Sequence, residues 1–431
     1  MMLPADQALP AHYHFEDYQP KGTIRFSTVE RVIVYVGVLL APFSDLRLSD
    51  FFFSFSDFCF CLSFVILLVK GRIERQPLNQ ATQLWLLSFM LLFLGLFIGS
   101  YSQSRPDRGV IVIGQYMFAY LVLLAVLVRK DPKEAHRLAA IFVASIVLVD
   151  IHGIYTFYFV GYVPTDVKGV VTGSRRLATV LGNPNLAASI NALAMPALLY
   201  FWSSGRLKTH FALPLIAIFL VTVVLTSSNS GLLMMALCLT IYTASILTAR
   251  LTFRLVVGGA ILFGILGAIG GADFLPATFQ KRVLGAITSG DISEAGTFES
   301  RAELAKEAID MISNEHILFV GIGADQFRER SVQDAPVHVL YLLLWVEGGL
   351  PALIGWLMFS GVGVVMWLSV RKAGGPKYVQ ALLASTIAIF LAIALFNPHM
   401  YARYWTLPVF LCFGLTVSQL QRIVPNRDMS S

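Results

Sequence analysis

Long apolar runs separated by short polar breaks dominate the chain. They fall near residues 30–44, 51–69, 84–101, 110–128, 138–160, 185–202, 211–226, 232–249, 255–271, 338–370, 378–396 and 404–420. A bilayer core of ~30 Å needs about 20 apolar residues per helix. The pattern therefore predicts an all-α polytopic membrane protein with about 12 transmembrane helices. The run at 338–370 is too long for one crossing, since at ~1.5 Å per residue it would reach ~50 Å. Gly348-Gly349-Leu350-Pro351 interrupts it, so residues 338–347 are expected to form a separate outer half-helix.

Composition agrees with this reading. Of 431 residues, 56% are hydrophobic and 13% charged, against roughly 25% charged in an average soluble domain. Mean hydropathy is +0.71. So few charges cannot cover so much apolar surface in water, which excludes a soluble enzyme. The net charge of +6 reads as a topology signal and not as a nucleic-acid footprint. With the N-terminus inside, about 19 of the 32 Lys and Arg fall in short inner segments. The other 13 lie outside, six of them in one long loop. The positive-inside rule then puts both termini in the cytoplasm.

The chain divides into three parts. Residues 1–271 hold nine transmembrane helices behind a cytoplasmic N-terminal tail, in which no signal-peptide-like apolar run appears and His12 and His14 read as tail residues. Residues 272–337 form the one long outer loop, and 338–431 hold the half-helix, helices ten to twelve and a cytoplasmic tail. Cys59, Cys61, Cys238 and Cys412 all sit in apolar runs and read as packing residues, not as a disulfide or zinc framework. No phosphate-binding loop, Asp-x-Asp pair or Gly-x-Ser-x-Gly elbow occurs. Any chemistry is thus expected on the outer face, away from nucleotides.

Three outer stretches carry candidate chemistry. In Gly173–Asn185, Asn183 is a good helix N-cap and Pro184 suits the first helical position. The outward helix N-terminus attracts anions, and Arg175 and Arg176 just before it fit a diphosphate. The other reading is a capped helix with interfacial arginines at lipid headgroups. In Phe298–Leu304, Ser300-x-x-Glu303 matches a capping box. Arg301 then sits in the first helical turn, where the dipole disfavours a cation. Its expected anionic partner is either a substrate phosphate or one of the loop's own acids, about eleven Asp and Glu.

In the third stretch, Gly321-x-Gly323 reads as a turn. His338 opens the outer half-helix, with Tyr341 and Trp345 on its face and Glu347 near its end. A histidine there either removes a proton from a hydroxyl near neutral pH or is a satisfied structural residue. Asp150 and His152, near mid-membrane, read as a buried pair or a proton relay. Asp57 is expected to pair with an outer arginine. Asn397–Arg403 is polar enough to wall a site, and Ser227–Gly231 reads as a tight outer turn.

Taken together these residues resemble the O-antigen ligase superfamily, which also holds O-antigen polymerases and protein O-oligosaccharyltransferases. The resemblance runs through Arg176–Asn185, Ser300-Arg301, Gly321-x-Gly323-x-x-x-Phe327 and His338–Gly348, and the ligase branch is the nearest. Two departures stand out. Val339 follows the histidine where the family often has Asn, and Asn229 stands in the turn where it often has Arg. Arg175 is a candidate for supplying that missing basic contact.

The resemblance implies a glycosyltransferase-C-like architecture with a long periplasmic helical loop. It implies polysaccharide on undecaprenyl diphosphate as donor and a sugar hydroxyl of lipid A–core as acceptor. It places both at the periplasmic face of a Gram-negative inner membrane, with membrane lipids around, no nucleic acid and no cofactor or metal. In that picture Arg176, Arg301 and Arg175, with Asn183 and Asn185, hold the donor diphosphate. His338 is the general base, supported by Tyr341 and Glu347. The alternatives are the polymerase and oligosaccharyltransferase reactions, and more distantly a polytopic transporter built on Asp150 and His152.

Overall fold

The computed structural model describes residues 27–43, 53–164, 169–247, 277–285, 298–314 and 317–423. Twelve helices frame it: α1 Thr28–Leu40, α2 Phe55–Val69, α3 Ala81–Ser102, α4 Pro106–Leu127, α5 Pro132–Val160, α6 Pro184–Ser203, α7 Thr209–Thr226, α8 Asn229–Ile246, α9 Phe298–Asn314, α10 Leu340–Lys372, α11 Lys377–Ala394 and α12 Arg403–Ile423. Among the described residues, eight helices are long and apolar enough to cross a membrane. The predicted span at 255–271 lies outside the described residues. Helices α1 and α2 are shorter than their runs suggest, at 13 and 15 residues. An all-α polytopic membrane protein stands.

Helix α6 forms the centre, with 83% of its apolar window buried. Its small residues Ala187, Ala188, Ala192 and Ala194 are fully buried. Such residues let neighbouring backbones approach, which is how helices associate where lipid is as apolar as leucine. Helices α7, α8, α11 and α12 pack around it. A second unit joins α3 to α10 along most of their length.

Buried charges clip the remaining helices to this frame. Glu30 accepts from Arg129 Nη2 and Ser63 Oγ, both at 2.6 Å, linking α1, α2 and the start of α5. At the opposite end Asp57 pairs with Arg403 at 2.8 Å, both buried, as expected of an outer arginine. Breaking either pair strands a buried charge, so both fix geometry more than they add net stability.

The break in α10 sits where the sequence puts it. Gly349 has φ +66° and Pro351 follows within the helix. Pro351 has no N–H, so the Glu347 carbonyl loses its normal helical donor. The loop 317–327 supplies the replacement. Gly323 N–H donates to Glu347 O at 2.9 Å, and Ile322 N–H donates to Val346 O at 2.8 Å. Leu350 N–H, released from Val346, donates to Leu318 O at 2.9 Å. A Cβ on Gly321 would overlap the Glu347 carbonyl, which explains why the Gly321-x-Gly323 turn must lack side chains there. The outer half-helix starts at Leu340, two residues later than predicted, because Val339 is still extended (φ −89°, ψ 103°).

Replacing Gly349 by Ala is expected to lower stability by about 1–3 kcal/mol for a backbone (φ +66°, ψ −170°) that only glycine adopts readily, with more from overlap with the Phe319 carbonyl. Gly361→Ala, in open space on the same helix, should leave thermal unfolding in detergent unchanged. Equal melting of both variants would contradict this account of the kink.

Candidate functional site

The loop-rich end of the bundle collects most of the residues singled out above. Val171 and Leu177 form an isolated antiparallel bridge, closed by hydrogen bonds between Thr172 and the 175–176 backbone. Arg175 takes φ +53° at the tip and is exposed. The reversal sends Arg176 the other way, into the bundle, where it is 9% exposed. Its Nε donates to Thr226 O at 2.8 Å and its Nη2 to Asn185 Oδ1 at 2.9 Å. Thr226 ends α7, so the guanidinium rests on the negative pole of that helix. Asn183 caps α6 as predicted, its Oδ1 accepting from Asn185 N–H at 2.9 Å and Leu186 N–H at 3.2 Å. Arg176 therefore bridges the C-terminal end of α7 and the N-terminal end of α6.

Arg301 lies in the first turn of α9, which buries Leu304 and Ala308 and leaves Ile309 exposed. The capping box does not form. The helix already includes Phe298, so Ser300 lies inside it, and its hydroxyl donates to Gln333 Oε1 at 2.6 Å. Glu303 instead accepts from Gln333 Nε2 at 2.9 Å. Both side chains thus hold α9 to the segment that leads into His338. Among the described residues, Arg301 Nε and His338 Nδ1 are buried without a hydrogen-bond partner.

A third arginine joins these groups. The segment Ala277–Gly285 is tied down on two sides: Thr278 Oγ1 donates to Ser174 O at 2.6 Å, and Asn229 Nδ2 donates to Arg282 O at 3.3 Å. Burial, with the added repulsion of Arg282, pushes the Arg176 guanidinium down to about 10. The same two causes hold Arg301 below the usual guanidinium range. Burial and then the Arg301 charge depress the His338 imidazole, against the pull of the Pro336 carbonyl. Arg176, Arg282, Arg301 and His338 are thus a chain of electrostatic neighbours drawn from four separate segments. Sequence reasoning missed Arg282, which is one basic residue in a loop richer in acids and has no distinguishing spacing. The 227–231 turn also does more than reverse the chain, since Asn229 anchors Arg282.

Tyr341 is half-buried in the first turn of α10. Glu347 is buried at the kink, its carboxylate accepting from Phe327 N–H at 3.4 Å. It also faces a cavity of about 260 Å³ between α4, the outer half of α10 and the 398–401 turn. A larger depression of about 470 Å³ runs along the acidic side chains of α9, touches none of the four clustered groups and is open solvated surface.

Asp150 and His152 do not form a relay. Asp150 is fully buried and accepts from Asn191 Nδ2 at 3.1 Å, tying α5 to α6, whereas His152 is exposed. Two positions apart on a helix, they face different neighbours.

Fold and site together define a polytopic all-helical membrane protein with a cationic, histidine-bearing site at the loop-rich end of its bundle. Residues 214–357, about a third of the chain, match the family model described as O-antigen ligase, and this match supports the O-antigen ligase superfamily. The matched stretch contains Asn229, Arg282, Arg301, His338 and Glu347, while Arg176 lies before it. Among curated proteins nothing matches the chain.

Converging cations repel one another until an anion binds, and an anion bound to the folded state stabilises it by mass action. Inorganic pyrophosphate is therefore expected to raise the melting temperature in detergent more than chloride at equal ionic strength. Arg301→Gln should shrink the pyrophosphate shift. A shift that is the same in the variant would detach Arg301 from the anion site.

Proposed function

We propose that this protein is a membrane glycosyltransferase that moves a polysaccharide from undecaprenyl diphosphate to a sugar hydroxyl of lipid A–core. What supports this reading is that Arg282 acts electrostatically on both Arg176 and Arg301, each partly buried, and that Arg301 acts on His338. Like charges do not gather in a low-dielectric site without a partner of opposite sign. A diphosphate has the charge to meet Arg176 and Arg301, and the adjacent membrane would hold its prenyl chain. The family match supports the same class of lipid-linked polysaccharide substrate. The reaction would run at the periplasmic face of a Gram-negative inner membrane with both termini in the cytoplasm.

In this reading the acceptor hydroxyl oxygen attacks the anomeric carbon of the donor sugar. The carbon–oxygen bond to the phosphate breaks, and undecaprenyl diphosphate leaves with the bonding electrons. The arginines stabilise the negative charge that grows on it. His338 Nε2 or Nδ1 takes the hydroxyl proton. The depressed imidazole is neutral at neutral pH and so ready to accept it. Asn185 and the α7 terminus hold Arg176 in place, and the Asn183 cap leaves further N–H groups of α6 at the same end. Arg175, exposed at the tip of its turn, would meet the outer rim of the diphosphate or the sugar beyond it.

The test is transfer by the purified protein in proteoliposomes, with lipid-linked donor and, separately, lipid A–core, lipid-linked repeats or a pilin-like protein as acceptor, with and without chelator. Transfer to lipid A–core alone is the expected result. Transfer only to lipid-linked repeats would make it a polymerase, and only to protein an oligosaccharyltransferase. His338→Ala should lose about 10²–10⁴-fold in rate while inserting and melting normally. Arg301→Lys should also cost much activity, because a point charge cannot make the two-pronged contact.

The pH profile carries a sign. Protonated imidazole is inactive as a base, so activity should hold through neutral pH and fall only below the usual histidine range. Removing the Arg301 charge in Arg301→Gln raises the imidazole, so the acid limb of the residual kcat/KM should move to higher pH. An unmoved limb would separate His338 from the proton transfer.

A further inference from the structure

The cavity beside the cation cluster has a different chemistry. Asp325 heads it in a left-handed turn (φ +61°) and pairs with Arg108 at 3.6 Å and Arg328 at 3.3 Å. Glu347 forms part of its floor. Tyr401 Oη lies 3.0 Å from His399 Nδ1, and the Tyr401 ring packs edge-to-face on Tyr116 at 5.3 Å. These groups come from α4, the 317–336 loop, the α10 kink and the 398–401 turn. Pro336, two residues before His338, is also part of the wall. His338 is an electrostatic neighbour both of Arg301 and of His399, which lines the cavity.

We propose that the cavity is the acceptor site and binds the neutral, hydroxyl-rich sugar that receives the transferred chain. The proposal rests on the transferase reading and adds where the second substrate sits. At about 260 Å³ the cavity lies near the lower end of small-molecule pockets, ~300–1,000 Å³, the scale of a sugar unit rather than a lipid tail. Its wall carries two guanidinium groups, Arg108 and Arg328, both paired with Asp325, so it lacks the cationic excess a diphosphate calls for. Carboxylates, imidazole and phenol are instead good partners for hydroxyl groups, since they accept and donate at fixed positions. Asp325 is held by two guanidinium groups, so it is pre-set as an acceptor without rearrangement. The tyrosine pair offers an apolar face to the ring of the sugar and keeps a polar edge.

Two measurements on the full-length protein test this. In the transfer assay, Asp325→Asn and the more conservative Tyr401→Phe should each raise the KM for lipid A–core by about tenfold, the loss of one good hydrogen bond to substrate. The KM for the lipid-linked donor should stay unchanged. By calorimetry, free core oligosaccharide should bind the wild type and bind each variant about tenfold more weakly, while inhibition or binding by inorganic pyrophosphate stays the same. If the variants weaken donor or pyrophosphate binding instead, or leave oligosaccharide binding intact, the cavity is not the acceptor site. Absence of any transfer by the wild type would overturn the transferase reading itself. Oligosaccharide binding lost in Asp325→Asn but kept in Tyr401→Phe with an intact melting curve would reduce the cavity to a structural contact around Asp325 and overturn the proposal.

Discussion

At the α10 kink the hydrogen bonds that Pro351 and Gly349 remove from the helix are remade by the loop 317–323, and the remaining parts of the site take their positions from that exchange. Val346 and Glu347 would be left with unpaired carbonyls in an apolar setting, a cost of about 1–3 kcal/mol each. The backbone N–H groups of Ile322 and Gly323 satisfy them. That clamp needs backbone against backbone, hence glycine at 321. Helix α3 comes in from the other side, where a Cβ at Gly99 would lie 2.6 Å from the same Glu347 carbonyl. Once the loop is clamped, Asp325, Pro336 and His338 have fixed origins, and Glu347 is pinned with them. A helix break that looks like a defect is therefore the point from which the outer end is built.

The cationic pole follows another logic. Arg176, Arg282 and Arg301 are each placed by polar or covalent constraints unrelated to one another: a helix C-terminus and an asparagine for Arg176, Asn229 and Thr278 for the segment of Arg282, the buried stripe of α9 for Arg301. None of these constraints requires the three charges to meet. Burial first, and then the Arg282 charge, hold the Arg176 and Arg301 guanidinium groups below their usual range. Such strain between charges persists only where the surrounding packing holds it. The large apolar frame around α6 and the α3–α10 pair supplies that packing.

The helices were legible because twenty-residue apolar runs have few other solutions in a bilayer. The kink was legible because Gly348-Gly349-Leu350-Pro351 carries its own local cause. The Asn183 cap was legible for the same reason. The Ser300-x-x-Glu303 signal misled because it is also local, and Gln333, thirty-three positions away, uses those side chains instead. Arg282 and the cavity were beyond reach for a related reason. Asp57 and Arg403 are 346 positions apart, and the sequence pointed Asp57 to an arginine without saying which. Arg282 offered no such singularity. Its role comes from where Asn229 and Ser174 hold its backbone, which no spacing along the chain encodes.

The proposed reaction asks one site to handle two unlike substrates. In it a donor with a diphosphate and an acceptor rich in hydroxyls must both reach the same imidazole without exchanging places. A uniformly cationic groove would let diphosphate occupy either position and block the acceptor. Asp325 and Glu347 line the cavity, whereas Arg176, Arg282 and Arg301 do not. Asp325 is itself compensated by Arg108 and Arg328, so the cavity offers polar partners for hydroxyl groups without an excess of positive charge. Specificity in this scheme comes from withholding that excess at one position as much as from supplying it at the other. Burial and then the Arg301 charge hold the imidazole down, and in the proposed reaction a bound diphosphate would offset that charge and make the imidazole a stronger base when a hydroxyl is present to lose its proton.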